Sequence, residues 1–309
     1  MRALFPLAVL TWSLGCSGGS TSAAPAPSTT NDTDGGSHVA DSSTTPDDSS
    51  ASPRDASTDE TNTPVIDAAP IEPDAGKTVP DEVATKLVGA WAMRSRTASI
   101  QDLPFVGKTP STSVALGLVT IEKKGDALQI LETGCRVRIE STSTLAKTEI
   151  PDAVPRSVPT QTALLRAWTS GATIEVVRDE TALGIGVKLL DAMTEALPDK
   201  STDPRVWDQD KDGNPGVTAK VSGFATGDVY VVQRQRDAWH GKLDPDGSIR
   251  ALLTDRSEQS TIGASNPALN QNIKSSADPD ASKSNLRLVR LTKTYDCEAL
   301  IADEGKLFP

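Results

Sequence analysis

The chain has 309 residues, a formal net charge of -11 and only 4% aromatic residues. It shows no stripe of lysine and arginine interleaved with aromatic residues, which argues against a nucleic acid partner. Its composition is so uneven that the length overstates the part that folds, and a single folded domain is expected.

The N-terminus has the pattern of an export signal. Residues 1–16, MRALFPLAVLTWSLGC, combine Arg2 with an apolar run too short to span a bilayer as a helix. The run ends in Ser13-Leu14-Gly15-Cys16, which resembles the lipobox of bacterial lipoproteins, although that motif usually has Leu where Ser13 stands. The resemblance implies that Cys16 is lipidated and that the chain begins there after cleavage. Simple secretion, with cleavage near Ala23, is the alternative.

The segment that follows has the composition of a linker. Residues 17–80 contain no Leu, Phe, Tyr, Trp or Met, and nine Asp and two Glu oppose only Arg54 and Lys77. Such a segment cannot bury enough apolar surface to offset the entropy of ordering, so we predict a disordered acidic linker before a folded domain of residues 81–309. Ser17 and Gly18 include no aspartate that would indicate retention in the inner membrane, so the outer membrane is the expected location.

The folded domain has the pattern of an all-β protein. From residue 87 onward, short runs of alternating apolar and polar residues are separated by turn residues, as in antiparallel strands. Gly125-Asp126 and Asp246-Gly247 are hairpin signals. Strands are predicted at 87–98, 113–123, 127–133, 135–142, 145–150, 173–178, 182–189, 216–223, 228–236, 239–244, 248–254, 258–264 and 285–292. Helices are expected only at 159–168, 188–197 and 297–302.

Many consecutive strands with short turns must protect their edges, and a closed up-and-down barrel does so most simply. A β-sandwich is the alternative. The segment from Leu87 through Gly89 to Trp91 resembles the Gly-x-Trp start of lipocalin-like domains. The resemblance implies that Gly89 and Trp91 form the barrel floor, with Arg287 or Arg290 of the last strand packed over Trp91. A plain core role for Trp91 is the alternative.

A wider resemblance covers the domain from about residue 85 to the end. The chain resembles a group of surface lipoproteins of myxobacteria and related lineages. This resemblance implies a shared domain but no particular activity. The residues that carry this resemblance are Gly89-Ala90-Trp91, 206–218 (VWDQDKDGNPGVT), 230–234 (YVVQR) and 297–300 (CEAL).

One motif has the spacing of a calcium loop. Asp208, Asp210 and Asp212 stand at positions 1, 3 and 5 of an EF-hand-like loop and run into a glycine at position 6. The carbonyl of Asn214 would supply position 7. Position 12 is an alanine, so the glutamate that completes an EF-hand is missing, and Asp203 or water would have to complete the shell. Weak Ca²⁺ binding is therefore expected, with a metal-free acidic turn as the alternative.

The two cysteines within the domain, Cys135 and Cys297, remain available once Cys16 carries lipid. Export makes a structural disulfide between them the expected state. Closing a loop of about 160 residues would stabilise the fold by roughly 5 kcal/mol. Two buried thiols, or a metal or redox pair, are the alternatives.

No catalytic residue is predicted, because the chain has no nucleophile elbow, zincin helix, phosphate loop or dinucleotide fingerprint. The expected function is a lipid-anchored binding module, not an enzyme. Its barrel would hold a small apolar ligand in a cavity under Trp91, or its surface would bind an envelope partner. The alternatives are a structural or adhesive protein with a filled core, and a glycan-directed hydrolase with two facing carboxylates.

Overall fold

The computed structural model describes residues 74–103, 107–143 and 146–309. The predicted signal peptide, Cys16 and the linker up to residue 73 lie outside the described residues. Within the described part of the chain, no helix is long and apolar enough to cross a membrane.

The described chain forms one sheet of twelve strands, and all of their pairings are antiparallel. The predicted all-β antiparallel fold is therefore confirmed. The strands are β1 (Gly89–Leu103), β2 (Gly107–Lys124), β3 (Ala127–Ser141), β4 (Ala146–Glu149), β5 (Gln161–Ser170), β6 (Thr173–Ile185), β7 (Val217–Gly223), β8 (Gly227–Leu243), β9 (Ile249–Asp255), β10 (Glu258–Ala264), β11 (Lys274–Ala277) and β12 (Asn285–Arg290).

Eight of the strands close into a ring. Going round, the order is β1, β2, β3, β5, β6, β8, β9 and β12, and β12 pairs back with β1. Each ring strand pairs with the next ring strand along the chain, which is the up-and-down order of a barrel. Of the other strands, β4 and β7 link β3 to β8, β10 pairs with β8, and β11 pairs with β1.

Short helices cover the ring. They are α1 (Asp81–Leu87), α2 (Ala153–Ser157), α3 (Cys297–Ala302) and α4 (Glu304–Leu307), with 3-10 turns at Pro267–Leu269 and Ala281–Lys283. The predicted helix at 297–302 is confirmed. Helices α3 and α4 pack on the outer face of β1 to β3, where Leu300 and Phe308 are buried. The Cys135–Cys297 disulfide, with 5.1 Å between the Cα atoms, ties α3 to β3.

The predicted helix at 159–168 is wrong, because this segment is strand β5. Ala75 and Gly76 pack against it: the Ala167 amide donates to the Gly76 carbonyl at 3.0 Å, and Arg166 Nη1 donates to the Ala75 carbonyl at 3.2 Å. Three consecutive residues of the strand, 165–167, are therefore buried. A strand covered on both faces loses the apolar and polar alternation by which strands are recognised.

The predicted helix at 188–197 is also wrong. The Met193 amide donates to Asp191 Oδ1 at 2.8 Å, and the Leu190 amide donates to Glu195 Oε2 at 2.6 Å. These side-chain bonds give the backbone an alternative to helical hydrogen bonds, so the segment forms turns.

Three predicted breaks between strands are absent. Strand β3 joins the predicted 127–133 and 135–142, β6 joins 173–178 and 182–189 but ends at Ile185, and β8 joins 228–236 and 239–244. In two of these long strands the pairing with a neighbour shifts register. The β2–β3 pairing shifts between Leu116 and Gly117 of β2, and the β6–β8 pairing shifts between Arg178 and Thr181 of β6. A bulge takes up the extra residue without ending the strand.

Two apolar clusters fill the interior and leave a layer between them. The first, called here the floor cluster, packs α1 against the ring; it contains Val83, Leu87, Trp91, Ile121, Leu128, Ile130, Leu165, Val176, Trp239, Ile249 and Leu288. The second, called the far cluster, involves β7 and β8; it contains Val137, Ile150, Val154, Ile185, Val217, Ala219, Val221, Val229, Val231 and Leu269. The layer between the two clusters holds the polar interior of the barrel.

Candidate functional site

The barrel floor is closed by Trp91. Its side chain is fully buried, and its indole nitrogen donates to the Leu87 carbonyl at 3.0 Å. The structure places Arg290, not Arg287, over the indole, with 4.4 Å from the guanidinium carbon to the ring centroid. Arg290 also donates to the Val88 carbonyl at 2.8 Å, which fixes it across the floor.

A cavity of about 160 Å³ lies between the floor cluster and the far cluster. On β1 its lining begins at Met93, two residues beyond Trp91, because the space around Trp91 is filled by the floor cluster. The cavity thus begins one inward position beyond Trp91 on β1, and polar groups stand among its mostly apolar lining. The polar residues that line the cavity are Ser95, Thr97, Ser113, Glu132, Thr133, Arg136, Gln161, Arg178, Gln233, Gln235, Asp237 and Asp255.

A buried charge cluster lies on the wall of this cavity. The Arg178 side chain is 2% exposed, its Nη2 pairs with Asp237 Oδ2, and its Nε lies 3.5 Å from Glu132 Oε2. Arg178 Nη1 also donates to the Asp237 carbonyl at 2.9 Å and to Thr181 Oγ1 at 2.8 Å. Two carboxylates from different strands thus share one guanidinium.

The alternation of each strand explains why these groups face inward. Successive side chains of a strand point to opposite faces, so every second residue faces the interior. On β3, Glu132 continues the inward row that begins with Leu128 and Ile130 in the floor cluster. On β8, Asp237 and Gln233 continue the inward row that begins with Trp239. We did not identify these residues from the sequence, although a charged residue at an inward position was the available signal.

Burial raises the pKa of the Glu132 carboxyl; Arg178 acts against this effect, and the nearby Asp237 adds to it. Burial alone would lower the pKa of Arg178, but the charges of Asp237 and Glu132 outweigh it and raise that pKa. The guanidinium therefore stays charged, and burial makes Glu132 easier to protonate than an exposed glutamate.

Gln233 contributes an acceptor that the protein leaves unused. The residue is 1% exposed, and its Oε1 has no hydrogen-bond partner among the described residues. Leaving a buried acceptor without a partner costs about 1–3 kcal/mol. Because Gln233 lines the cavity, a donor placed there would remove this cost.

The predicted calcium loop precedes β7, and its acidic side chains converge. Asp208, Asp210 and Asp212 each place a carboxylate oxygen within 4.8 Å of the others. Asp208 accepts hydrogen bonds from the amides of Asp212 at 3.1 Å and Gly213 at 2.9 Å. Asp210 Oδ2 accepts from the Thr218 amide at 3.1 Å, while its Oδ1 is buried without a hydrogen-bond partner. Burial raises the pKa of Asp210, and the other two carboxylates add to this effect.

The loop is fixed to the barrel by Gln209, which is buried between the acidic residues. Its Oε1 accepts from the Gly186 amide at 2.7 Å, and its Nε2 donates to the Ser157 carbonyl at 3.3 Å. Lys211 has a positive φ of 60°, the conformation that turns the chain tightly at this point. The carboxylates therefore project from an anchored turn.

Of the other two predicted calcium ligands, Asn214 lies beside the acidic cluster and Asp203 does not. Asn214 stays beside the cluster and donates through Nδ2 to Asp212 Oδ2 at 3.1 Å. Asp203 is bound by Arg205, with contacts of 3.0 and 2.8 Å, and these hydrogen bonds lower its pKa to about 2. Asp203 is thus paired with a cation of the protein itself, and the expectation that it completes the metal shell is not supported by the geometry.

Comparison of the chain with models of protein families, with curated proteins and with solved structures found no match. The resemblances to lipocalin-like domains and to myxobacterial surface lipoproteins stay predictions.

Proposed function

We propose that the chain is a lipid-anchored cell-envelope protein whose barrel binds a small molecule in its interior. The observation that carries this proposal is the cavity of about 160 Å³, lined by buried charged and amide groups between two packed apolar clusters. A barrel of eight strands is just wide enough to be filled by side chains or to hold one small ligand. A cavity of about 150 Å³ in another protein binds benzene, so the ligand has about the size of one six-membered ring.

The polar groups of the cavity favour binding over a purely structural role. It costs free energy to bury polar groups around an open space, here Glu132, Asp237 and Gln233. A core filled by apolar side chains would not have this cost. The glycan-directed hydrolase is less favoured, because Glu132 and Asp237 are both paired with Arg178 and a cavity of one ring does not admit a sugar chain.

The lipid anchor and the outer membrane location are supported by the N-terminal sequence and by the disulfide. Disulfides persist in oxidising compartments outside the cytoplasm, so the Cys135–Cys297 bond agrees with export. The chain has three cysteines, and this bond leaves Cys16, in the lipobox-like sequence, for lipidation.

Binding inside the barrel is tested by a thermal-shift screen of single-ring compounds against the mature protein and two variants. Ala115→Leu narrows the cavity, because Ala115 lines it from β2. Thr120→Leu adds a similar apolar group to an exposed position of the same strand. Ligands that raise the melting temperature of the wild type and Thr120→Leu, but not of Ala115→Leu, support the proposal. Equal stabilisation of Ala115→Leu would place the site elsewhere and contradict it.

We further propose that Asp208, Asp210, Asp212 and the carbonyl of Asn214 bind Ca²⁺ and stabilise the loop before β7. The buried Asp210 Oδ1 without a partner favours this, since a cation would compensate its charge. A carboxylate oxygen that accepts one hydrogen bond keeps a second lone pair for a metal. Without the closing glutamate, the dissociation constant should lie at about 10⁻⁴–10⁻³ M.

Calorimetric titration of the mature protein with Ca²⁺ tests the metal site. Saturable heat is expected for the wild type and for Asp126→Asn, an exposed turn residue that serves as the control, and should vanish in Asp210→Asn. A chelator should lower the melting temperatures of the wild type and of Asp126→Asn, but not that of Asp210→Asn. Absence of heat in the wild type would reduce the motif to an acidic turn.

A further inference from the structure

The acidic loop runs directly into strand β7, and one polar side chain of that strand is buried where its neighbours are exposed. Successive side chains of a strand point to opposite faces. The apolar residues of β7 belong to the far cluster, so Thr218 lies on the other face together with Lys220 and Ser222. Lys220 and Ser222 are exposed, whereas Thr218 is 3% exposed. A local contact therefore covers Thr218 and not the rest of this face.

The acidic loop provides that contact. The Thr218 amide donates to Asp210 Oδ2 at 3.1 Å, which holds the start of β7 against the loop. The Thr218 hydroxyl lies beside the Asp212 carboxyl. Burial alone would raise the pKa of Asp212, but the Thr218 hydroxyl and Asn214 outweigh burial and lower that pKa. The side chain of Thr218 is thus turned towards the carboxylates.

Two buried oxygens at this point have no hydrogen-bond partner among the described residues, Thr218 Oγ1 and Asp210 Oδ1. The Thr218 hydroxyl therefore lies close to a carboxylate without an aligned hydrogen bond to it. A hydroxyl is able to donate its proton to a neighbouring carboxylate. Oxygens that bind one cation instead turn their lone pairs towards the metal and form no hydrogen bond with each other. A cation between these oxygens would also remove the cost of burying them without a partner.

Thr218 stands at position 11 of the loop, next to the position at which an EF-hand has its closing glutamate. Position 12 itself is Ala219, which packs in the far cluster and has no ligand atom in its side chain. A threonine hydroxyl has two acceptor lone pairs, and Ca²⁺ prefers hard oxygen ligands of this kind. The chain thus supplies an oxygen one residue before the missing ligand.

From the burial of Thr218, its amide bond to Asp210 and the two oxygens without partners, we infer that the Thr218 hydroxyl is a ligand of the calcium site and takes the place of the missing glutamate. The three carboxylates of the loop and the Asn214 carbonyl supply the other protein oxygens, and water completes the about six to eight that Ca²⁺ takes. The metal would then join the loop to β7. This inference rests on the proposed calcium site, to which it adds a ligand.

The test is calorimetric titration of the mature protein with Ca²⁺ at neutral pH, with three variants. Thr218→Val keeps the branched shape and removes the hydroxyl, so it should weaken Ca²⁺ binding by at least about tenfold. Thr218→Ser keeps the hydroxyl and should stay within about twofold of the wild type. Ser222→Ala is the matched control, because it removes an exposed hydroxyl from the same face of β7 and should change nothing.

Melting temperatures distinguish a lost ligand from a damaged fold. With a chelator present, Thr218→Val should melt at the temperature of the wild type or above it, because it removes a buried hydroxyl that has no partner. Ca²⁺ should then raise the melting temperatures of the wild type and of Thr218→Ser more than that of Thr218→Val. If Thr218→Val melts below the wild type in chelator, Thr218→Ala and Thr218→Ser replace the comparison, since these two differ only in the hydroxyl.

Loss of Ca²⁺ affinity in Thr218→Val, with recovery in Thr218→Ser, supports the inference. Equal affinities of the wild type and Thr218→Val, of Thr218→Ser and Thr218→Val, or of Thr218→Ser and Thr218→Ala would overturn it and leave the calcium site of the acidic residues standing. Absence of binding in the wild type would overturn the proposed calcium site and this inference together. The binding function of the barrel is decided separately by the screen with Ala115→Leu.

Discussion

Arg290 lies over Trp91 because residue 89 has no side chain. A Cβ atom at Gly89 would lie 2.7 Å from Arg290 Nη1. Gly89 also has a φ of +142°, a backbone conformation that residues with a side chain rarely adopt. Gly89→Ala should therefore lower the free energy of unfolding by about 1–3 kcal/mol, measured by urea denaturation. Gly125→Ala is the control, because its φ is +64° and nothing lies within 4 Å of the added atom. Equal losses in the two variants would show that the approach of Arg290 contributes nothing.

The guanidinium of Arg178 should be essential for the fold as well as for the cavity. Arg178→Met would leave Glu132 and Asp237 buried without their shared cation, at a cost of about 3–5 kcal/mol in the free energy of unfolding. Arg256→Met is the comparison, since that side chain is 52% exposed and pairs with Glu180 at the surface. Its loss should stay below about 0.5 kcal/mol in the same denaturation experiment. Similar values for both variants would contradict a structural role for the buried cluster.

The raised pKa of Glu132 makes stability depend on pH in a defined direction. The folded protein holds the Glu132 proton more tightly than the unfolded chain does. The resulting contribution to the free energy of unfolding is therefore complete below the ordinary glutamate pKa of 4.5 and is lost as pH rises through the folded pKa. Glu132→Gln cannot ionise and keeps the contribution. Its free energy of unfolding relative to the wild type should therefore increase with pH, by about 1.4 kcal/mol for each unit of raised pKa.

Denaturation curves of both proteins between pH 4 and pH 8 measure this difference, with Glu140→Gln as the control. A difference that does not change with pH would show that Glu132 has an ordinary pKa in the folded protein.

The sequence predicts local features and misses those that depend on distant strands. Asp208, Asp210 and Asp212 lie within five consecutive residues, so their spacing alone predicts that they converge. Glu132 and Asp237 meet only because the ring brings β3 and β8 to either side of one cavity, and the alternation within a single strand does not fix that arrangement. Strand β5 was predicted as a helix for a related reason, since Gly76, which bonds to it, comes from a separate segment before α1.

The disulfide should stabilise the barrel strongly. It joins positions 162 residues apart and holds α3 against β3, where Cys135 and Leu300 are buried together. Replacing both cysteines by alanine should lower the free energy of unfolding by about 2–5 kcal/mol, measured by urea denaturation. A reducing agent should have the same effect on the wild type and none on the double variant. Equal stability of the wild type under oxidising and reducing conditions would contradict this prediction.

Lipidation at Cys16 should determine where the protein is found without affecting its stability. A myristoyl-length chain binds membranes only weakly, whereas two or more acyl chains give stable anchoring, as lipoprotein lipidation provides. Cys16→Ser should therefore move the protein from the membrane fraction to the soluble exported fraction, and mass spectrometry should show the loss of the acyl chains. The variant without the disulfide is the matched control, because it should stay in the membrane fraction while losing stability. Membrane retention of Cys16→Ser would contradict the lipid anchor, and release of the disulfide variant would mean that retention depends on the fold.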